Sequence, residues 1–127
     1  MSEKKKILIV EDESAMIEAL ASKFRKEGFD VLEAGNGEEG VALALKEKPD
    51  LVMLDIIMPK LDGIGVLKKI REDSAWGVDV PVIMLSNLSD ADNISEAARY
   101  RVFDFLVKTD WRLDDVVKLV REKLKME

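Results

Sequence analysis

The sequence predicts an α/β protein: a single doubly wound, five-stranded parallel sheet with helices on both faces. Two observations carry this expectation. Nearly unbroken aliphatic runs recur at residues 7–10, 51–54 and 80–85, and runs of this length suit strands buried on both faces. Between them lie stretches with apolar residues at helical spacing, and alternation of strand and helix implies a parallel sheet covered on both sides. The chain has 127 residues, 47% of them hydrophobic. That is enough for one domain with a real core and too few for two, so residues 1–127 are read as one domain.

The elements follow in order. Ile7-Leu8-Ile9-Val10 gives the first strand. Met16, Ile17, Leu20, Ala21 and Phe24 then mark a helix that Gly28 is placed to end. The mixed stretch Phe29-Asp30-Val31-Leu32-Glu33 suits an edge strand. Val41, Ala42 and Leu45 mark the second helix, closed by Pro49. Residues 51–54 give the third strand, and Ile64, Val66, Leu67 and Ile70 the third helix, entered through Asp62-Gly63. Trp76, before the fourth strand, reads as a packing lid. Residues 80–85 give the fourth strand and residues 90–99 a weaker fourth helix. Phe103-Asp104-Phe105-Leu106-Val107 suits the opposite edge. Leu113, Val116, Val117, Val120 and Leu124 mark the fifth helix, with acids early and Arg121, Lys123 and Lys125 late, as the helix dipole favours. It runs almost to Glu127, and no output domain is expected after it in this chain.

Composition narrows the chemistry. Twenty basic and 26 acidic residues give a net charge of -6, which argues against nonspecific nucleic-acid binding. Cysteine and histidine are both absent. Thiolate nucleophiles, Cys-ligated zinc and Ser-His-Asp catalysis are therefore excluded. Any metal site must be oxygen-ligated. The apolar runs fall far short of the roughly 20 residues of a membrane span. No secretory signal is visible, and a cytoplasmic protein away from the membrane is expected.

In open parallel sheets, ligands bind beyond the carboxyl ends of the strands. The first strand is followed by Glu11 and Asp12, the third by Asp55, the fourth by Ser86 and the fifth by Lys108. Each has an ordinary reading alone: first-turn helix acids, a loop or capping hydroxyl, a solvated surface cation. Asp55 is harder to dismiss, since a lone acid between Leu54 and Ile56-Ile57-Met58 is costly to desolvate unless something compensates it. Together they suggest a specific chemistry. Clustered carboxylates suit Mg2+, with Mn2+ as the alternative. A lysine facing such a cation makes sense with a phosphoryl group between them. An aspartate can itself be the nucleophile, forming an aspartyl phosphate.

These stretches resemble the receiver domain of bacterial two-component response regulators. The matching segments are Ile7 to Asp12, Leu54-Asp55-Ile56-Ile57-Met58-Pro59-Lys60-Leu61-Asp62-Gly63, Pro81 to Ser86, and Phe105-Leu106-Val107-Lys108, in the family's order and spacing. The resemblance implies a flavodoxin-like sheet of strand order 2-1-3-4-5. It implies Asp55 as phosphoacceptor and Asp12 as a direct Mg2+ ligand, with Glu11 acting through water and the Ile57 carbonyl completing the protein ligands. Lys108 would pair with the phosphate, Ser86 would be the switch hydroxyl, and Phe105 the aromatic that turns inward on activation. Implied partners are a sensor histidine kinase or histidine phosphotransfer protein. A downstream effector or second copy would bind the face of the fourth helix, fifth strand and fifth helix. The protein would be a signalling switch and not an enzyme beyond self-phosphorylation from donors and slow self-dephosphorylation. Ile57 and Leu88 stand at the two positions that tune hydrolysis in this family, and both are apolar.

There are departures from the family pattern. Thr109 follows Lys108 where proline with a cis bond is usual, and a non-proline cis bond costs about 3–4 kcal/mol. Asp110-Trp111 replaces the commoner aromatic, and Arg101 stands where glycine is frequent. Arg99, Tyr100 and Arg101 read either as a solvated loop or as a basic, aromatic patch. Two other functions compete. A haloacid-dehalogenase-type Mg2+ phosphatase would need a second acid two residues after Asp55, where Ile57 stands. An unphosphorylated pseudo-receiver would be expected to have lost one of the key groups.

Overall fold

The chain alternates strand and helix throughout: β1 (Lys6–Val10), α1 (Ser14–Lys26), β2 (Asp30–Ala34), α2 (Gly37–Glu47), β3 (Leu51–Asp55), α3 (Gly63–Arg71), β4 (Val82–Ser86), α4 (Ala91–Ala98), β5 (Asp104–Val107) and α5 (Leu113–Lys123). The structure, a computed structural model, describes residues 4–56, 58, 61–73, 75–86, 91–102, 104–107 and 112–126. The strands form one sheet in the order β2-β1-β3-β4-β5, with every pair parallel.

The continuous apolar runs are explained by two cores. Leu8, Val10, Val52, Leu54, Val82 and Met84 face a layer that includes Ala44, Val66, Leu67, Ile70 and Ala97, from α2, α3 and α4. Their alternates Ile7, Ile9, Leu51, Met53, Ile83 and Leu85 face Leu20, Ala21, Phe24, Val116 and Val120, from α1 and α5. Side chains alternate across a strand, so β1, β3 and β4 must be apolar on both faces, as they are over residues 7–10, 51–54 and 82–85. Each large side chain fully buried contributes about 1.5–3 kcal/mol. At the edges, β2 and β5 are partly exposed, in keeping with their mixed sequences.

Helix ends are set locally. Asn36 Oδ1 accepts from the Glu39 amide at 2.9 Å, and Asp62 Oδ1 from the Gly65 amide at 2.8 Å, the usual satisfaction of a helix's first donors. Gly28, at φ 95°, ends α1 as the sequence implied. Trp76 is the expected lid: its Nε1 donates to the Pro49 carbonyl at 2.7 Å, and it packs against the first core. The preceding turn is tied by Asp73, whose carboxylate accepts from the amides of Ala75, Trp76 and Gly77. Those amides, Gly77 first, hold its carboxyl below the usual carboxylate range.

Strand boundaries differ slightly from the sequence reading. β4 begins at Val82, not Val80, because the Val80 carbonyl accepts from Arg71 Nη1 at 2.6 Å. β2 begins at Asp30, leaving Phe29 to pack edge-on against Phe24 with ring centroids 5.5 Å apart. β5 is described from Asp104, and Phe103 lies outside the described residues. Among the described residues, no helix is long and apolar enough to cross a membrane.

Candidate functional site

The strand order brings the carboxyl ends of β1, β3 and β4 side by side. Val10 pairs with Leu54, and Asp55 pairs with Leu85, one residue before Ser86. Glu11, Asp12 and Asp55 each offer a carboxylate oxygen within 4.8 Å of the other two. Glu11 is 0% and Asp55 2% exposed, whereas Asp12 is exposed. Burying two acids beside a third costs charge repulsion and desolvation together. An oxygen-only donor set of this density fits the hard Mg2+ cation.

Backbone contacts hold these side chains in place. The Glu11 amide donates to the Ala34 carbonyl at 3.1 Å, extending the pairing of β1 with β2. Glu11 Oε2 accepts from the Glu13 amide at 3.0 Å, which turns the chain into α1. The Ile56 amide donates to the Leu85 carbonyl at 3.2 Å, carrying β3–β4 pairing past Asp55. Gly63 then seats α3 against that strand end, its amide donating to the Ile56 carbonyl at 2.7 Å. A Cβ at this position would lie 2.7 Å from Ile56 Cα and closer still to the Asp55 carbonyl oxygen. The Asp62-Gly63 pair is thus a cap followed by a close approach. Sequence reading found only the helix entry.

Ser86 is 1% exposed, and among the described residues its Oγ has no hydrogen-bond partner. A buried hydroxyl of this kind is costly unless a ligand or neighbour completes it. Phe105 pairs in register with Met84 and lies half-buried against the first core. Lys108 and Ile57, both expected at the site, lie outside the described residues, as do Leu88 and the Lys108–Thr109 bond. The structure thus brings together Glu11, Asp12 and Asp55, with Ser86 at the neighbouring strand end.

The family model for the response regulator receiver domain matches residues 7–121. The chain belongs to this family. It is the receiver domain of a two-component response regulator, and its signalling is driven by phosphorylation. A curated relative, "Probable transcriptional regulator ycf27" of Porphyridium aerugineum, is 40% identical over 106 residues, covering 84% of this chain and 42% of the relative. The chain therefore spans less than half of that protein. Among solved structures, the Francisella response regulator 1452 receiver domain is 30% identical with a TM-score of 0.84, covering 96% of this chain and 98% of its own. A CheY-like receiver domain protein from Methanospirillum hungatei shares the fold at a TM-score of 0.89 and 24% identity, over 97% and 95% of the two chains. The receiver's acid cluster fits both Mg2+ and an aspartyl phosphate. Response regulators are, in general, signalling proteins.

Proposed function

We propose that this receiver accepts a phosphoryl group on Asp55 from a phosphohistidine of a sensor kinase or phosphotransfer protein. One Asp55 carboxylate oxygen attacks phosphorus, the P–N bond breaks, and its electron pair returns to the imidazole. The observation that carries this reading is the convergence of Glu11, Asp12 and Asp55 at adjoining strand ends, within 4.8 Å, in a chain without histidine. Glu11, Asp12 and Asp55, with the Ile57 backbone carbonyl, would hold Mg2+. When bound, that cation neutralises charge on the phosphoryl oxygens.

The remaining roles belong to the protein's own groups. The Lys108 ammonium pairs with a phosphoryl oxygen, and the Ser86 hydroxyl donates to another. Ser86 moving to that oxygen leaves space that Phe105 fills by turning inward. The face of α4, β5 and α5 is thereby altered for a downstream effector or a second copy. Ile57 and Leu88 neither accept a proton nor orient water, so the acyl phosphate is long-lived. The receiver takes up residues 1–127 and works in the cytoplasm, without contacting nucleic acid or membrane itself.

The test is incubation with Mg2+ and a small acyl phosphate donor, followed by intact-mass measurement. One added phosphoryl group is expected, absent in Asp55→Asn and in excess EDTA. Labelling of Asp55→Asn at the wild-type rate would overturn the assignment.

A further inference from the structure

A second concentration of charge lies at the opposite edge of the sheet. There the end of α3, the loop before β4 and the loop between α4 and β5 meet. Arg71 joins them. Its Nε donates to the Tyr100 carbonyl at 2.9 Å, and its Nη1 to the carbonyls of Gly77 and Val80 at 2.8 and 2.6 Å. Arg101 Nη2 donates to the Val78 carbonyl. Two clefts of about 280 Å³ flank this junction and share Arg71, Val78 and Arg101 as a common wall.

The two clefts differ in charge. In one, Arg71, Arg101 and Lys123 meet Asp79 and Asp104, and the Lys123–Asp104 pair closes at 2.6 Å. In the other, Lys68, Arg71, Arg99 and Arg101 meet Glu72 alone. Lys68 and Arg99 are exposed, and neither enters an ion pair among the described residues. This cationic surplus stands on a protein whose net charge is -6. Desolvation and the neighbouring Arg101 both pull Arg71 below the usual guanidinium value.

Arg101 is also held at some conformational cost. Its φ of 62° lies in the left-handed region, where any residue with a Cβ is disfavoured. Glycine would satisfy that backbone, yet an arginine stands there with its side chain on the cleft wall. Strained residues of this kind concentrate where function requires the side chain.

We infer that the Arg99–Tyr100–Arg101 cleft is a docking site for an acidic segment of a partner protein, bearing carboxylates on either side of one apolar side chain. Half-buried Tyr100 and Val78 give the cleft apolar lining, and exposed Lys68 and Arg99 line it beside them. Arg71, the half-buried cation, is already engaged by three carbonyls. Its Nε and Nη1 are therefore not free to close on a compact anion such as phosphate. A long polyanion such as DNA would meet the repulsion of the remaining acidic surface. Exposed arginines beside a tyrosine are also the residue types that anchor protein interfaces.

The test is a ¹⁵N NMR titration of the full chain with a short peptide in which glutamates flank a single phenylalanine. Saturating shifts confined to residues 68–72 and 99–102 are expected. Arg99→Glu combined with Lys68→Glu should weaken binding about tenfold, as expected when steering charges are reversed. Lys46→Glu, on α2, should leave it unchanged. Mg2+-dependent labelling of Asp55 should persist in all three proteins, which separates this site from the phosphoacceptor. Absence of shifts at millimolar peptide, shifts centred elsewhere, or wild-type affinity in the double variant would each overturn the inference. So would pyrophosphate or a DNA duplex producing the same shifts more tightly than the peptide.

Discussion

Neutralising Asp55 should stabilise the metal-free protein. Its carboxylate lies within 4.8 Å of carboxylate oxygens from both Glu11 and Asp12. At that separation two unit charges repel by about 3.5 kcal/mol at an effective dielectric of about 20, and by about 0.9 kcal/mol in bulk water. The buried Glu11–Asp55 pair leans toward the first figure, and the pair with exposed Asp12 toward the second. Asp55 also has other interactions in the fold, and any favourable one lost offsets part of the gain. Asn keeps the shape of the side chain, so a net stabilisation of about 1–2 kcal/mol is expected. For a domain of this size that raises Tm by about 3–8 °C. Circular-dichroism melts of wild type and Asp55→Asn in EDTA, then in saturating Mg2+, provide the assay. Wild type should gain more from the metal than the variant, because a ligand stabilises only the form that binds it. Asp55→Asn melting clearly below wild type in EDTA would refute the repulsion argument.

Two further outcomes are expected. Arg71→Met should cost about 2–3 kcal/mol in urea denaturation, since three carbonyls lose a charged donor; a loss within about 0.5 kcal/mol would mean that water replaces the guanidinium. The double variant Ile57→Asn with Leu88→Glu should lose phosphate at least about a hundredfold faster than wild type, as water-orienting groups typically allow; an unchanged half-life would show that these two side chains do not set it.

Much of this was legible in the sequence because β1, β3 and β4 are buried on both faces. Such strands are written as unbroken aliphatic runs, and the residue after each run falls at the sheet's carboxyl edge. Glu11, Asp12, Asp55 and Ser86 were found in that way. What stayed hidden depends on contacts between distant segments. The Arg71 guanidinium takes the carbonyl of Val80, so β4 begins later than its apolar run. Gly63 is required by an approach to Asp55 and Ile56 that no local pattern encodes. Arg99, Tyr100 and Arg101 were visible as residues, but the cleft they line exists only because α3 ends beside them.

The acid cluster persists because its geometry is fixed by backbone and not by the acids themselves. β1 and β3 are in register through Val10 and Leu54, and β3–β4 pairing continues through the Ile56 amide. The Gly63 amide clasps the Ile56 carbonyl from the other side. Repulsion of several kcal/mol among the carboxylates cannot separate strands held in this way by two hydrophobic cores. The strain is therefore retained in the folded state, where a divalent cation would relieve it. Replacing Gly63 by alanine would press a methyl group into the Asp55 strand end and loosen that clasp, so the glycine beside the site helps to fix its charge geometry.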